Sequence, residues 1–447
     1  MVILPNRLKC HDITEGKGDI IMMRNRYIER RKKMIEAMAP ESICFMLSGQ
    51  EKVRNGDITY DFEVERNFFY MTGIDEAGVI LVLIKTPMFS DECLYIPRVS
   101  EKNEIISGIT KPFSYYQEIS GIHKIAYKEA FETDINTRMS VFGLETVYFA
   151  GSQMPLNNEI TQEAVLASKL RNVLPDISIK SLTKVIKNLR RIKDEDEIGQ
   201  MKKAIALTKL GIEAMLKDLR PGKYEYQLQA DFEHAIKYHG ARALAFPTIV
   251  AAGANSNTIH YLKNSDILQS GETLLVDLGA DYGHYAADIS RTFPIDGHFT
   301  EEQAKWYNIC LKSQEMIIRK MQPGTLISDS GTEATAYVAE QLVEAGLASS
   351  TEEALNMFYK NMACIGGVNH ELGLDTHDNL RTPKIPDDVF KPGMVYTVEP
   401  GIYLRDLNLG IRIEDDVLVT ESGPVVLSAD IPKTVEDLEA WIRKCHI

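Results

Sequence analysis

The chain has 447 residues, 44% of them hydrophobic, and a formal net charge of −14 at pH 7. That length supplies core enough for roughly two or three domains, and the acidic balance excludes non-specific attachment to nucleic acid or to an anionic membrane. Six cysteines show no C-x-x-C or other ligand-like spacing, so a reduced, cytoplasmic protein is expected. The longest apolar run, Val79–Ile84, is far too short to span a bilayer, and the opening Met-Val-Ile-Leu too short for a signal peptide.

Residues 1–20 read as a loosely held leader. A helix is expected over Arg24–Met38, ended by Pro40, with Tyr27, Ile28, Met34, Ile35 and Met38 as its apolar stripe and the basic run Arg24–Lys33 as its solvated face. Strand-like runs follow at Ile43–Leu47, Asn67–Met71, Val79–Ile84 and Leu94–Ile96, with helix-like stretches such as Glu159–Leu170 between them. Strands alternating with helices predict an α/β domain over residues 21–183. The composition then turns to charge across Lys184–Glu197, which marks the boundary of a second domain over residues 184–447. The acidic end of that stretch opens a helix where the dipole favours carboxylates, running through Met201–Met215 and stopping near Pro221-Gly222.

The second domain contains an internal echo. Pro221-Gly222 precedes a helical segment ending at Gly240, and Pro323-Gly324 precedes another ending at Gly346. Gly271–Gly279 then matches Gly393–Gly401 at Gly271/Gly393, Val276/Val398 and Gly279/Gly401, and Asp277 falls on Glu399. Each nonamer runs into a second strand with another carboxylate, Asp288 in one copy and Glu414 in the other. A carboxylate among apolar strand residues is costly unless a cation faces it. Four converging carboxylates would be balanced by two divalent cations, and such paired metals activate a water for hydrolysis. Oxygen-rich ligands favour manganese, magnesium or cobalt. The duplication predicts a pseudo-twofold domain with its site on the axis.

Between the two carboxylate hairpins lies the Gly-rich segment Ile365–Asp378. Of its histidines, His370 and His377, one can ligate and the other donate to a developing oxyanion. His260 precedes the first hairpin. Asp281 and Asp296 read as turn residues, and Asp375 and Asp378 as shaping the loop around His377.

Taken in order, Asp277 and Asp288, His370 and His377, Val398-Glu-Pro-Gly-Ile-Tyr403 and Arg412-Ile-Glu-Asp-Asp-Val417 resemble the pita-bread metallopeptidases, which include methionine aminopeptidases, prolidases and aminopeptidases P. The resemblance covers nearly the whole chain. Asn67-Phe-Phe-Tyr-Met-Thr-Gly73 and Val79–Lys85 are similar to the N-terminal domain of aminopeptidases P, and Leu189–Lys193 with Glu195–Ile198 to its domain junction. Phe246–Val250 with Ile259-His-Tyr261 resembles the approach to its site. The fold implied is an N-terminal α/β domain of the creatinase and prolidase kind, then a pseudo-twofold α+β pita-bread catalytic domain.

The resemblance also implies roles. Asp277, Asp288, His370, Glu399 and Glu414 would ligate two divalent metal ions, with manganese the usual activating ion, and Asp288 and Glu414 would bridge them. Glu399 would take the proton from the attacking water. His260 and His377 would orient the peptide and stabilise the tetrahedral intermediate, with Arg412 pinning Asp277 and Tyr403 nearby. The implied activity is a metallo-aminopeptidase acting on peptides with proline at the second position, in a homodimer or homotetramer. An Xaa-Pro dipeptidase at the same site is the alternative, and a non-catalytic or altered-specificity relative a third. Two segments depart from the family pattern: Gly366-Gly-Val-Asn-His370 stands where His-Gly-x-x-His is usual, and Glu63-Val-Glu-Arg-Asn-Phe68 where Arg-Gln-Asn-Ser-Asp-Phe is usual. Both bear on efficiency and the preference for proline and leave the five ligands in place.

Overall fold

Near-continuous apolar runs, which need burial on both faces, form the centre of a six-stranded mixed sheet. Its order is Ile125–Tyr127, Ser90–Ile96, Ile80–Lys85, Ser42–Leu47, Thr146–Phe149, Ser178–Ser181. The middle three strands are antiparallel, and the joins to the others are parallel. The computed structural model describes residues 17–99, 102, 104–151, 160–360, 364–365, 369–378 and 388–446. It divides into two units, one within residues 11–190, which holds this sheet, and one within residues 191–447. Ile43, Phe45, Val82, Tyr95, Phe131, Ile135 and Val147 pack one core of the first unit.

The first helix is Lys17–Ala37, longer at its start than the apolar stripe implied; the expected leader falls, up to residue 16, outside the described residues. The run Asn67–Met71, expected to be strand-like, is instead part of the helix Arg66–Thr72. Its caps decide the matter. The Glu65 carboxylate accepts from the Phe68 N–H at 2.7 Å, and Gly73 ends the helix in the left-handed region at φ 70°. The segment Glu63–Phe68 therefore has structural work here: Glu63 pairs with Arg66 at 3.2 Å, and the Asn67 amide donates to the Ala150 carbonyl at 2.9 Å.

Glu163, on the helix Gln162–Val173, accepts from the Gly151 N–H at 3.1 Å. Burial, and then the Glu65 carboxylate, push its carboxyl up to about 7 against that hydrogen bond. A carboxyl raised in the folded chain holds its proton better there than when unfolded. Stability therefore falls as pH climbs from about 4.3, the unfolded value, through 7. Glu163→Gln keeps the acceptor for Gly151 and removes the charge. It is expected to stabilise this unit on the order of 2 kcal/mol near pH 8 and little near pH 5, read as a thermal midpoint. An equal shift at both pH values would contradict the cause given.

In the second unit the acidic run opens the helix Glu195–Leu216, with Asp194 and Glu197 forming a capping box. The two Pro-Gly turns lead to Glu225–Tyr238 and Thr332–Glu344. Between and after these helices, one topology occurs twice. Thr273–Leu278 pairs with Ile289–Pro294, and inside that pair Ala280–Tyr282 pairs with Tyr285–Ala286. Likewise Val395–Val398 pairs with Asp415–Thr420, and inside it Gly401–Leu404 pairs with Leu409–Arg412. Each is a nested hairpin broken in the middle, and each outer and inner pair gains a third strand. The break explains the echoed glycine: a Cβ on Gly279 would lie 1.8 Å from the Ala287 carbonyl oxygen, so only glycine lets the two arms cross. The Asp281 backbone belongs to a strand and not to the expected turn, although its Oδ1 accepts from the His284 N–H of that turn at 3.0 Å. Asp281 sits buried on the inner strand, gripped by Arg242 at 2.6 Å.

Candidate active site

The breaks in the nested hairpins are where the carboxylates stand. Asp277 is next to last in its strand, Asp288 immediately precedes Ile289, Glu399 follows Val398, and Glu414 precedes Asp415. The arms are stitched together there, because the Glu414 N–H donates to the Ser290 carbonyl at 3.0 Å. The side chains of Asp288 and Glu414 come within 4.8 Å of each other and of the His370 ring nitrogen. His370 Nε2 is 3.5 Å from Asp288 Oδ2 and 3.3 Å from Glu399 Oε1.

Burial, and then the mutual repulsion of Asp277, Asp288, Glu399 and Glu414, raise the Asp288 and Glu414 carboxyls well above the carboxylate range. Glu399 is raised as well, chiefly by burial. The Arg412 guanidinium stands among them. Arg412 donates to Asp277 Oδ2 at 2.7 Å, to the Tyr403 hydroxyl at 2.9 Å and to Ser290 Oγ at 2.8 Å. Burial alone would lower its guanidinium, but Tyr403, Asp277, Glu414 and Glu399 outweigh it and raise it. Among the described residues, Asp277 Oδ1 and Glu414 Oε1 nevertheless lie buried with no hydrogen-bond partner. Buried carboxylate oxygens left without donors, beside an imidazole nitrogen, are the surroundings of hard divalent cations. The donor set fits such a pair of ions.

The His370 and His377 rings meet edge to face with centroids 4.3 Å apart. Partial burial, then His370 and His260, lower the proton affinity of His377, so it is neutral near pH 7. His260 lies on an exposed loop and acts electrostatically on both His377 and Glu399. Gly366 lies outside the described residues.

Three supporting residues escaped the sequence reading. Ser290 donates from Oγ to Glu414 Oε2 at 2.8 Å while accepting from Arg412. It stands two residues beyond Asp288, just inside the strand Ile289–Pro294, and that two-residue spacing was the available signal. Buried Asp416 accepts from the Asp288 N–H at 3.3 Å and keeps Oδ1 without a partner. Gln314, on the helix Glu301–Lys320, donates to the carbonyls of Val398 and Ile413, each one residue ahead of a site glutamate. Nothing local marks it, because its helix is remote in sequence from both strands.

The sequence profile of metallopeptidase family M24 matches residues 199–421, and that of the aminopeptidase P N-terminal domain matches residues 27–148. The Xaa-Pro aminopeptidase of Escherichia coli (strain K12) is 31% identical over 435 residues, covering 93% of this chain and 97% of that one. A solved structure from Bacillus anthracis, assigned to aminopeptidase P, superimposes with a TM-score of 0.90 at 34% identity and covers 95% of this chain and 100% of its own. Aminopeptidase P from E. coli with the inhibitor Pro-Leu superimposes with a TM-score of 0.83 at 29% identity, covering 94% and 98%.

Proposed function

This chain belongs to metallopeptidase family M24, in its aminopeptidase P branch, and from that premise we propose that it removes the N-terminal residue from peptides whose second residue is proline. Asp277, Asp288, His370, Glu399 and Glu414 hold two divalent metal ions, manganese in the first place. The observation that carries this reading is the pair of buried, partnerless oxygens on Asp277 and Glu414 within a cluster that one arginine cannot neutralise. The ions supply the acidity that turns a water into a nucleophile near neutral pH and polarise the scissile carbonyl.

The chain's own residues do the rest. Glu399 takes a proton at its carboxylate and passes it to the imino nitrogen of the departing proline, which cannot leave as an anion. Neutral His377 donates its N–H to the oxyanion that develops on the carbonyl. His260, on the exposed side, orients the peptide backbone. Arg412 holds Asp277 by one oxygen and leaves the other without a donor, where it would be available to a bound metal ion. The relative crystallised with Pro-Leu favours an aminopeptidase over a dipeptidase: a dipeptide beginning with proline is the departing half of a longer Xaa-Pro peptide. Among the described residues no helix is long and apolar enough to cross a membrane. A cytoplasmic enzyme and a homodimer or homotetramer complete the proposal, from the cysteine usage and the family resemblance respectively.

Metal-stripped protein given manganese is expected to cleave Xaa-Pro-Xaa tripeptides with kcat/KM at least about tenfold above Xaa-Pro dipeptides. The reverse order would assign a dipeptidase, and inactivity on both classes would sink the hydrolytic reading.

A further inference from the structure

The charged stretch at Arg190-Arg-Ile-Lys193 reads in the sequence as a domain boundary, yet two of its residues reach the histidine loop. Arg191 donates from Nε to Glu371 Oε1 at 2.8 Å and from its terminal nitrogens to the Asp388 carboxylate at 3.0 and 3.3 Å. The Tyr396 hydroxyl donates to the same Glu371 oxygen at 2.9 Å, across a β-bridge between the two residues. Two positions further on, Lys193 Nζ donates to Asp378 Oδ2 at 2.9 Å, with both side chains only 1% exposed. Backbone bonds hold the frame: the Lys193 N–H donates to the Gly393 carbonyl, and the Asp378 N–H to the Glu371 carbonyl, closing the loop on itself. Space for the second grip depends on Gly373, where a Cβ would come 2.6 Å from Asp378 Oδ2 and 3.0 Å from Lys193 Cε.

The two gripped acids are the immediate neighbours of the two histidines. Glu371 follows His370 and Asp378 follows His377, so each cation anchors the chain one residue from one imidazole. We propose that Arg191 and Lys193 are positioning residues that act as a two-point clamp, Arg191 setting His370 and Lys193 setting His377. The clamp fixes the edge-to-face separation of the rings, and so places one nitrogen among the carboxylates while the other faces the substrate carbonyl. Its two ends then act on different quantities: the Arg191 end on metal affinity, the Lys193 end on turnover.

The kinetic half of this inference rests on the proposed function, and the metal-binding half does not. Manganese binding by calorimetry and turnover of an Xaa-Pro-Xaa peptide are to be measured for R191Q and for the double variant K193Q/D378N, which removes both charges of the buried pair and avoids stranding one. R191Q is expected to weaken manganese binding about tenfold, with kcat at saturating manganese within about threefold of the parent. K193Q/D378N is expected to lower kcat about a hundredfold, with KM and manganese affinity within about threefold. Arg191→Lys keeps the charge without the planar fork and should weaken manganese binding in the same direction; it replaces R191Q if that variant does not fold. Equal losses of affinity and turnover in both variants would mark ordinary structural ion pairs and overturn the clamp, as would parental values in either variant. A parent inactive on every Xaa-Pro peptide would refute the proposed function, while the affinity measured for R191Q would still decide the Arg191 end.

Discussion

Glu399→Ala is expected to lower kcat by at least about a thousandfold while leaving the chain folded, because in the proposed mechanism it removes the proton carrier and a metal ligand in one step. Folding should survive, since Glu399 follows the last residue of Val395–Val398 and contributes no ladder hydrogen bond through its side chain. Losing one of several mutually repelling buried carboxylates also relieves the cluster, whose members raise one another's proton affinity. The thermal midpoint of the metal-free variant should therefore equal or exceed that of the metal-free parent. Activity within tenfold of the parent on an Xaa-Pro-Xaa peptide would remove Glu399 from the mechanism. Glu399→Gln separates the two roles: it keeps the shape and an oxygen donor, so metal should still bind measurably while turnover stays lost.

The second large effect belongs to stability. Arg412→Met is expected to destabilise the metal-free protein by about 3–5 kcal/mol, the usual consequence of removing one partner from a buried ion pair. Asp277 would lose its donor, Tyr403 and Ser290 would each lose a partner, and Glu414 would keep its negative neighbours without the guanidinium that offsets them. Manganese should restore much of that loss, because divalent charge replaces the guanidinium. The gap between metal-loaded and metal-free unfolding midpoints is thus expected to widen relative to the parent. An unchanged gap would mean that Arg412 and the metals do not share the same carboxylates. Arg412→Lys should fall between the two, keeping the charge but losing the fork that serves Asp277, Tyr403 and Ser290 together.

Much of this arrangement was legible because it repeats. Asp277 and Glu399 recur at the same place in two nonamers that share Gly271/Gly393 and Gly279/Gly401, and a carboxylate at the foot of an apolar strand is conspicuous in any pattern of period two. The repeat also carried the topology, since both nonamers open a nested hairpin broken at the same relative point. Legibility failed where local chemistry competed with composition. Asn67–Met71 has the residues of a strand, yet a carboxylate cap at Glu65 and a left-handed glycine at Gly73 made it a helix. Asp281 lies near a glycine turn, and its burial depends on Arg242, a residue 39 positions away.

By itself the sequence determined which groups could do chemistry here: four echoed carboxylates and three histidines in order. Strand period and duplication are local or self-similar, so they leave a trace that can be read without coordinates. Only the tertiary structure decided what holds those groups in register. Arg191 meets Glu371 across 180 residues, Lys193 meets Asp378 across 185, and Gln314 binds the carbonyls ahead of both site glutamates. Ion pairs and amide contacts over such separations obey no period, and a basic residue that will be buried in one looks the same in sequence as one bound for solvent.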